Sequence, residues 1–74
     1  MSRAAVLGAG AWGTAFAKML AEAGSEVTIW ARREPVAAAI REFGVNESAL
    51  PGVKLPERVT ATSDLGAAVA GAGL

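Results

Sequence analysis

Gly8-Ala9-Gly10-Ala11-Trp12-Gly13 decides how this chain folds. The six residues follow a short apolar run, Arg3-Ala4-Ala5-Val6-Leu7. A run of that length closed by glycine suits a buried parallel strand. Beyond the glycines the period changes. Ala15, Phe16, Met19, Leu20 and Ala23 recur at three- and four-residue spacing, which predicts the inner face of a helix starting near Trp12. Lys18 and Glu22 fall on the other face, and Gly24 is placed to end the helix in a left-handed turn. The hexapeptide therefore joins a strand to a helix, and its three glycines have separate tasks. Gly8 takes the tight turn out of the sheet, Gly10 lets the backbone approach a ligand, and Gly13 lets the helix pack close to the strand.

Glu26-Val27-Thr28-Ile29-Trp30 is rich in β-branched and aromatic residues and reads as a second strand. Pro35 suits the first turn of a second helix, with Val36, Ile40 and Phe43 on one face and Gly44 ending it. Residues 45–56 hold Asn46, Pro51, Gly52 and Pro56 without a sustained period, so a loop is expected. Val59-Thr60-Ala61-Thr62 reads as a third strand, and Ser63 or Asp64 caps a short helix from Leu65 to about Ala70. Alternating strands and helices predict an α/β fold, a parallel sheet flanked by helices. The expectation is the N-terminal half of a Rossmann dinucleotide-binding domain, incomplete over residues 1–74. In that fold the first strand is central and the fourth lies beside it. The order here stops where a fourth strand is expected, leaving the first as a bare apolar edge. The sequence is therefore expected to be a piece of a longer protein whose C-terminal substrate domain is absent from this chain.

Composition narrows the function classes. Seven basic and seven acidic residues give no net charge, which argues against a nucleic-acid partner held by a basic surface. With neither Cys nor His, the stretch offers no thiolate or imidazole metal ligands and no disulfide. No apolar run is long enough for a membrane span and no signal-peptide pattern opens the chain, so a cytoplasmic protein is expected.

A strand–glycine turn–helix unit of this kind binds the pyrophosphate of a nicotinamide cofactor. Free N–H groups near Ala11 and Trp12, with the positive end of the helix dipole, are the donors. The expected cofactor-binding residues are Gly8, Gly10, Ala11, Trp12, Gly13, Arg32 and Arg33. NAD-selective domains place a carboxylate near the end of the second strand, about 20 residues past the glycines, to bind the ribose 2′-hydroxyl. Here the corresponding stretch reads Ile29-Trp30-Ala31-Arg32-Arg33. Two guanidiniums suit a 2′-phosphate, so NADP(H) is preferred over NAD(H), which is accepted at lower affinity. The plainer reading leaves both arginines solvated, with Glu34 pairing to either. Trp12 is kept as a site residue because the turn places it beside the pyrophosphate, and Trp30 is assigned to packing. Lys18, Lys54 and Asp64 are given surface or capping roles.

Several stretches together resemble the start of bacterial NAD(P)-dependent glycerol-3-phosphate dehydrogenase. They are residues 8–15, Trp30-Ala31-Arg32-Arg33, Asn46 with Leu50-Pro51-Gly52-Val53-Lys54-Leu55-Pro56, and Thr62-Ser63-Asp64-Leu65. The Trp within the glycine motif and the Leu-Pro-Gly loop make this resemblance specific. It implies reversible hydride transfer between a nicotinamide cofactor and the glycerol 3-phosphate/dihydroxyacetone phosphate pair, supplying glycerol 3-phosphate for phospholipids. It also implies cofactor contacts at Ala11, Trp12, Arg32 and Arg33, catalytic lysines in later segments, and a homodimer as the assembly of the full-length protein. Many members have Ser or Thr at Ala11 and Tyr at Ala49, so a hydroxyl and a ring are missing here. Competing readings are a ketopantoate reductase or 3-hydroxyacyl-CoA dehydrogenase, or a non-catalytic NADP(H)-sensing module. A bulky residue at Gly10 in the intact protein is expected to abolish nucleotide affinity; retention of affinity in a titration overturns the assignment of the turn.

Overall fold

The computed structural model describes residues 3–70. Three parallel strands, β1 (Arg3–Leu7), β2 (Glu26–Trp30) and β3 (Val59–Thr62), lie in the spatial order β1-β2-β3. Helices α1 (Ala11–Glu22), α2 (Glu34–Phe43) and α3 (Leu65–Ala70) follow them in turn. This is the β-α-β-α-β-α order of a Rossmann-like N-terminal part, with the strands where their composition places them. β2 sits in the middle of the described sheet. Its alternate residues Val27 and Ile29 are fully buried, while Thr28 and Trp30 are half-buried. The register sets Val27 beside Val59 and Ile29 beside Ala61, so these four share one face. Against them pack Ala17 and Ala21 of α1, Ala37 and Ile40 of α2, and Leu55 from the loop. Ala68 of α3 is buried apart from this cluster.

The inner face of α1 is not the one its spacing suggests. Thr14, Ala17 and Ala21 are buried, whereas Phe16 and Met19 remain 51% and 62% exposed. Only Leu20, of the five apolar residues expected inside, packs against the core. The reason lies one turn earlier. A Cβ on Gly13 would overlap the carbonyl oxygen of Gly8 and press on Val6 Cγ1 at 3.2 Å. The helix runs so close to the end of β1 that only small side chains fit between them. α1 is apolar around most of its circumference, so two stripes competed and the smaller one won.

Helix ends follow local chemistry. Gly24 has a positive φ, and the amides of Gly24 and Ser25 return to the carbonyls of Ala21 and Leu20 at 3.0 Å each. Asp64, rather than Ser63, caps α3: its Oδ1 accepts from Ala67 N at 3.1 Å. The loop 45–56 is ordered by its own contacts, with Val45 bridged antiparallel to Lys54 and Leu55 N donating to Gly44 O at 2.7 Å.

A polar clamp ties α2 to the end of β3. Arg41 is ion-paired with Glu34 and also donates to the Ala61 carbonyl at 3.2 Å. Ser63 Oγ donates to the other oxygen of Glu34 at 2.6 Å. The Arg41 and Ser63 hydrogen bonds hold the exposed Glu34 carboxyl below its ordinary pKa. A lowered folded-state pKa stabilises the fold above the unfolded value, and that contribution is lost as pH falls through the folded one.

Gly13→Ala is expected to destabilise the fold by about 1–3 kcal/mol, because backbone rather than a movable side chain blocks the new methyl. Gly10→Ala should leave stability nearly unchanged, since a Cβ there meets nothing within 4 Å. Urea denaturation of the two variants of the full-length protein separates these outcomes. Glu34→Gln should flatten the acid limb of the stability profile relative to the unsubstituted protein, read as midpoint against pH.

Candidate cofactor site

The register that builds the core also assembles the site. Leu7 pairs with Trp30, so the turn leaving β1 and the residues leaving β2 emerge side by side. In open α/β sheets ligands bind at this carboxyl end of the strands. Gly8 leaves β1 at φ +136°, a conformation that side chains rarely adopt. Gly10 is the N-cap of α1, with φ −73° and ψ 179°. That backbone is open to any residue, and a Cβ there meets nothing within 4 Å, so the chain's own packing does not demand glycine at position 10.

No side chain caps the start of α1, and its first turn holds no acidic residue. The first hydrogen bond inside the helix runs from Thr14 N to Gly10 O at 2.9 Å. The amides of Ala11, Trp12 and Gly13 precede it and have no partner within the helix. A helix start with neither a cap nor a carboxylate is electrically suited to an anion.

Arg32 and Arg33 follow β2 and are both exposed. Among the described residues neither takes part in an ion pair. Glu34, the acid beside them, is engaged by Arg41 and Ser63 instead. Of the plainer reading, the pairing of Glu34 with either arginine is corrected, while the exposure of both arginines is as that reading has it. The two arginines line a cavity of about 320 Å³ with Ala9, Ala31, Val36 and Ser48. Arg33 is also the N-cap of α2, which adds a second helix start to this cavity.

Trp12 is 91% exposed on the first turn of α1. With Ala11, Ala15 and Leu50 it borders an apolar hollow of about 370 Å³. Trp30, assigned to packing, is half-buried, and its Nε1 donates to Ser63 O at 3.0 Å. Lys18 pairs with Glu22 on the surface at 2.7 Å. Another cavity, of about 360 Å³, lies at the opposite end of the strands, where Arg3, Glu26, Glu57 and Arg58 meet. It mixes both charges and is remote from the glycine turn.

The structure also brings in residues that the sequence analysis did not assign to the site. Asn46 is 3% exposed, and its Nδ2 donates to Ala9 O at 2.8 Å and to Thr14 Oγ1 at 3.0 Å. Thr14 Oγ1 donates to the same Ala9 carbonyl at 3.3 Å. Ser48 Oγ donates to Asn46 Oδ1 at 3.2 Å. The one available signal was a polar residue opening a loop; its burial against the turn is a tertiary fact. Among the described residues no cluster of His, Cys, Asp or Glu is arranged for a metal, and no helix is long and apolar enough to cross a membrane.

Comparisons with known proteins agree with this geometry. Residues 3–74 match the family described as NAD-dependent glycerol-3-phosphate dehydrogenase N-terminus. The chain is 61% identical, over its whole length, to glycerol-3-phosphate dehydrogenase [NAD(P)+] of Nocardia farcinica, of which it covers 22%. It is 57% identical over 70 residues to the enzyme of that name from Moorella thermoacetica, covering 21% of it. Among solved structures, the glycerol-3-phosphate dehydrogenase of Coxiella burnetii superposes with a TM-score of 0.87 at 38% identity, over 96% of this chain and 22% of that one. The Plasmodium falciparum glycerol-3-phosphate dehydrogenase gives 0.81 at 30% identity, over the same shares. The chain thus spans about a fifth of the length of the relatives it matches. A glycine turn tight enough to exclude a methyl, opening beside two arginines at the carboxyl edge of a parallel sheet, fits that match, and the chain belongs to the NAD-dependent glycerol-3-phosphate dehydrogenase N-terminus family.

Proposed function

We propose that this chain is the cofactor-binding part, over residues 1–74, of a full-length NAD(P)-dependent glycerol-3-phosphate dehydrogenase. Its reaction is the reversible conversion of dihydroxyacetone phosphate to sn-glycerol 3-phosphate, the precursor of glycerophospholipids. The observation that carries the reading is the uncapped start of α1 facing open space at Gly10, within a chain of this family. The relatives' names support it over a ketopantoate reductase, a 3-hydroxyacyl-CoA dehydrogenase or a sensing module.

The residues present fit a dinucleotide. Gly8, Gly10 and Gly13 shape the turn, and the backbone amides of Ala11, Trp12 and Gly13 receive the pyrophosphate. Ala11 contributes through its N–H alone. Trp12 borders the cofactor with its ring. Arg32 and Arg33 bind a 2′-phosphate, so NADP(H) is preferred over NAD(H). Unpaired guanidiniums beside a helix start form charge-assisted bonds with such a phosphate, whereas a ribose hydroxyl gains little from them. Bound nicotinamide supplies the hydride, and this segment's own work is to hold and orient. The catalytic groups and the substrate domain belong to the rest of the protein, which is proposed to be a cytoplasmic homodimer acting on a small-molecule substrate.

The full-length protein should oxidise NADPH in the presence of dihydroxyacetone phosphate; NADPH binding without turnover would favour the sensing module. Replacing Arg32 and Arg33 together by Ala should raise the Kd for NADPH by about 10- to 100-fold, as expected for two lost charge-assisted bonds. The Kd for NADH should move by less than about threefold on the same grounds. An unchanged ratio of the two affinities would remove the arginines from the site.

A further inference from the structure

We propose that Asn46 is a positioning residue for the cofactor: its buried amide latches the Ala9–Gly10 peptide so that the turn presents a donor to the pyrophosphate. This deepens the reading above and rests on it.

Asn46 and Thr14 are the two buried polar side chains among the described residues. Burying an amide costs free energy unless its hydrogen bonds are made. Here they are made, and the Asn46 and Thr14 side chains both donate to one backbone atom, the Ala9 oxygen. Asn46 Nδ2 donates to the Ala9 carbonyl at 2.8 Å and to Thr14 Oγ1 at 3.0 Å, while Thr14 Oγ1 donates to that carbonyl at 3.3 Å. A carbonyl only accepts, so the amide must turn its NH₂ toward it. Ser48 Oγ fixes the other end by donating to Asn46 Oδ1 at 3.2 Å. The backbone of Asn46 is held as well, its carbonyl accepting from Ala49 and Leu50 at 3.1 and 2.8 Å.

The consequence follows from peptide geometry. No cis peptide occurs among the described residues, and in a trans peptide the C=O and the next N–H point in opposite directions. With the Ala9 oxygen drawn inward to Asn46, the Gly10 N–H points away from it, out of the protein. Were the peptide to flip, the turn would offer an anion a carbonyl oxygen in place of a donor. Such a flip turns on ψ of Ala9 and φ of Gly10, and Gly10, with no Cβ, gives little resistance to it. Asn46 reaches this peptide from 37 residues away and supplies the constraint that the glycines cannot.

The test is titration calorimetry on the full-length protein with two probes. NADPH needs the turn; adenosine 2′-monophosphate needs only the arginine cavity. Asn46→Asp keeps the shape and the acceptor for Ser48 but removes both donors. The Kd for NADPH should rise about 30-fold or more, while that for adenosine 2′-monophosphate stays within about threefold. Equal losses for both probes, or no loss for either, overturn the proposal. Should Asn46→Asp fail to fold, Thr14→Val decides by the same ratio, with a smaller loss for NADPH expected. If the unsubstituted protein binds no NADPH, the cofactor reading itself fails, and this inference with it.

Discussion

Everything at the carboxyl edge of the sheet depends on how closely α1 approaches the end of β1. The Gly8 carbonyl occupies the space where a Gly13 side chain would begin. That contact sets the helix height above the sheet and restricts the buried stripe to Thr14, Ala17 and Ala21. It also directs the start of the helix across the end of the strand, where its amides open outward. Packing and the proposed cofactor geometry are therefore one constraint. A larger residue at the contact alters both, whereas a larger residue at Gly10 alters only the second.

Charge is distributed in keeping with that geometry. The carboxylate closest in sequence to Arg32 and Arg33 is drawn away by Arg41 and Ser63. The clamp so formed holds α2 against β3 and leaves the two guanidiniums beside a cavity rather than in an ion pair. Exposed pairs of this kind add little to stability. Their larger consequence here is placement, since a neutralised arginine would be a poor receptor for a phosphate. The N-terminus of α1 follows the same logic, carrying neither a capping side chain nor an acid.

The loop between α2 and β3 links these two regions. Asn46 grips the turn after β1, and Ser48, two residues on, lines the arginine cavity. One short segment thus touches both the glycine turn and the arginine cavity. Leu50 from the same loop borders the same hollow as Trp12. A segment without regular secondary structure is kept in place by hydrogen bonds to a buried amide, so its irregularity does not imply looseness.

Much of this was legible in the chain itself. Strand boundaries followed from β-branched and apolar runs closed by glycine. Helix ends followed from Gly24, Pro35, Gly44 and Asp64, and the glycine spacing marked the turn, because each of these signals is local. The buried stripe of α1 was not legible, since Ala15, Phe16 and Met19 satisfy a helical period as well as Thr14, Ala17 and Ala21 do. Only the distance between helix and strand chooses between them. Nor could the sequence show which base Glu34 would choose, or that Asn46 would reach the Ala9 carbonyl. Those outcomes depend on residues far apart in the chain meeting across the sheet, and only the folded arrangement decides which donors and acceptors come within bonding distance.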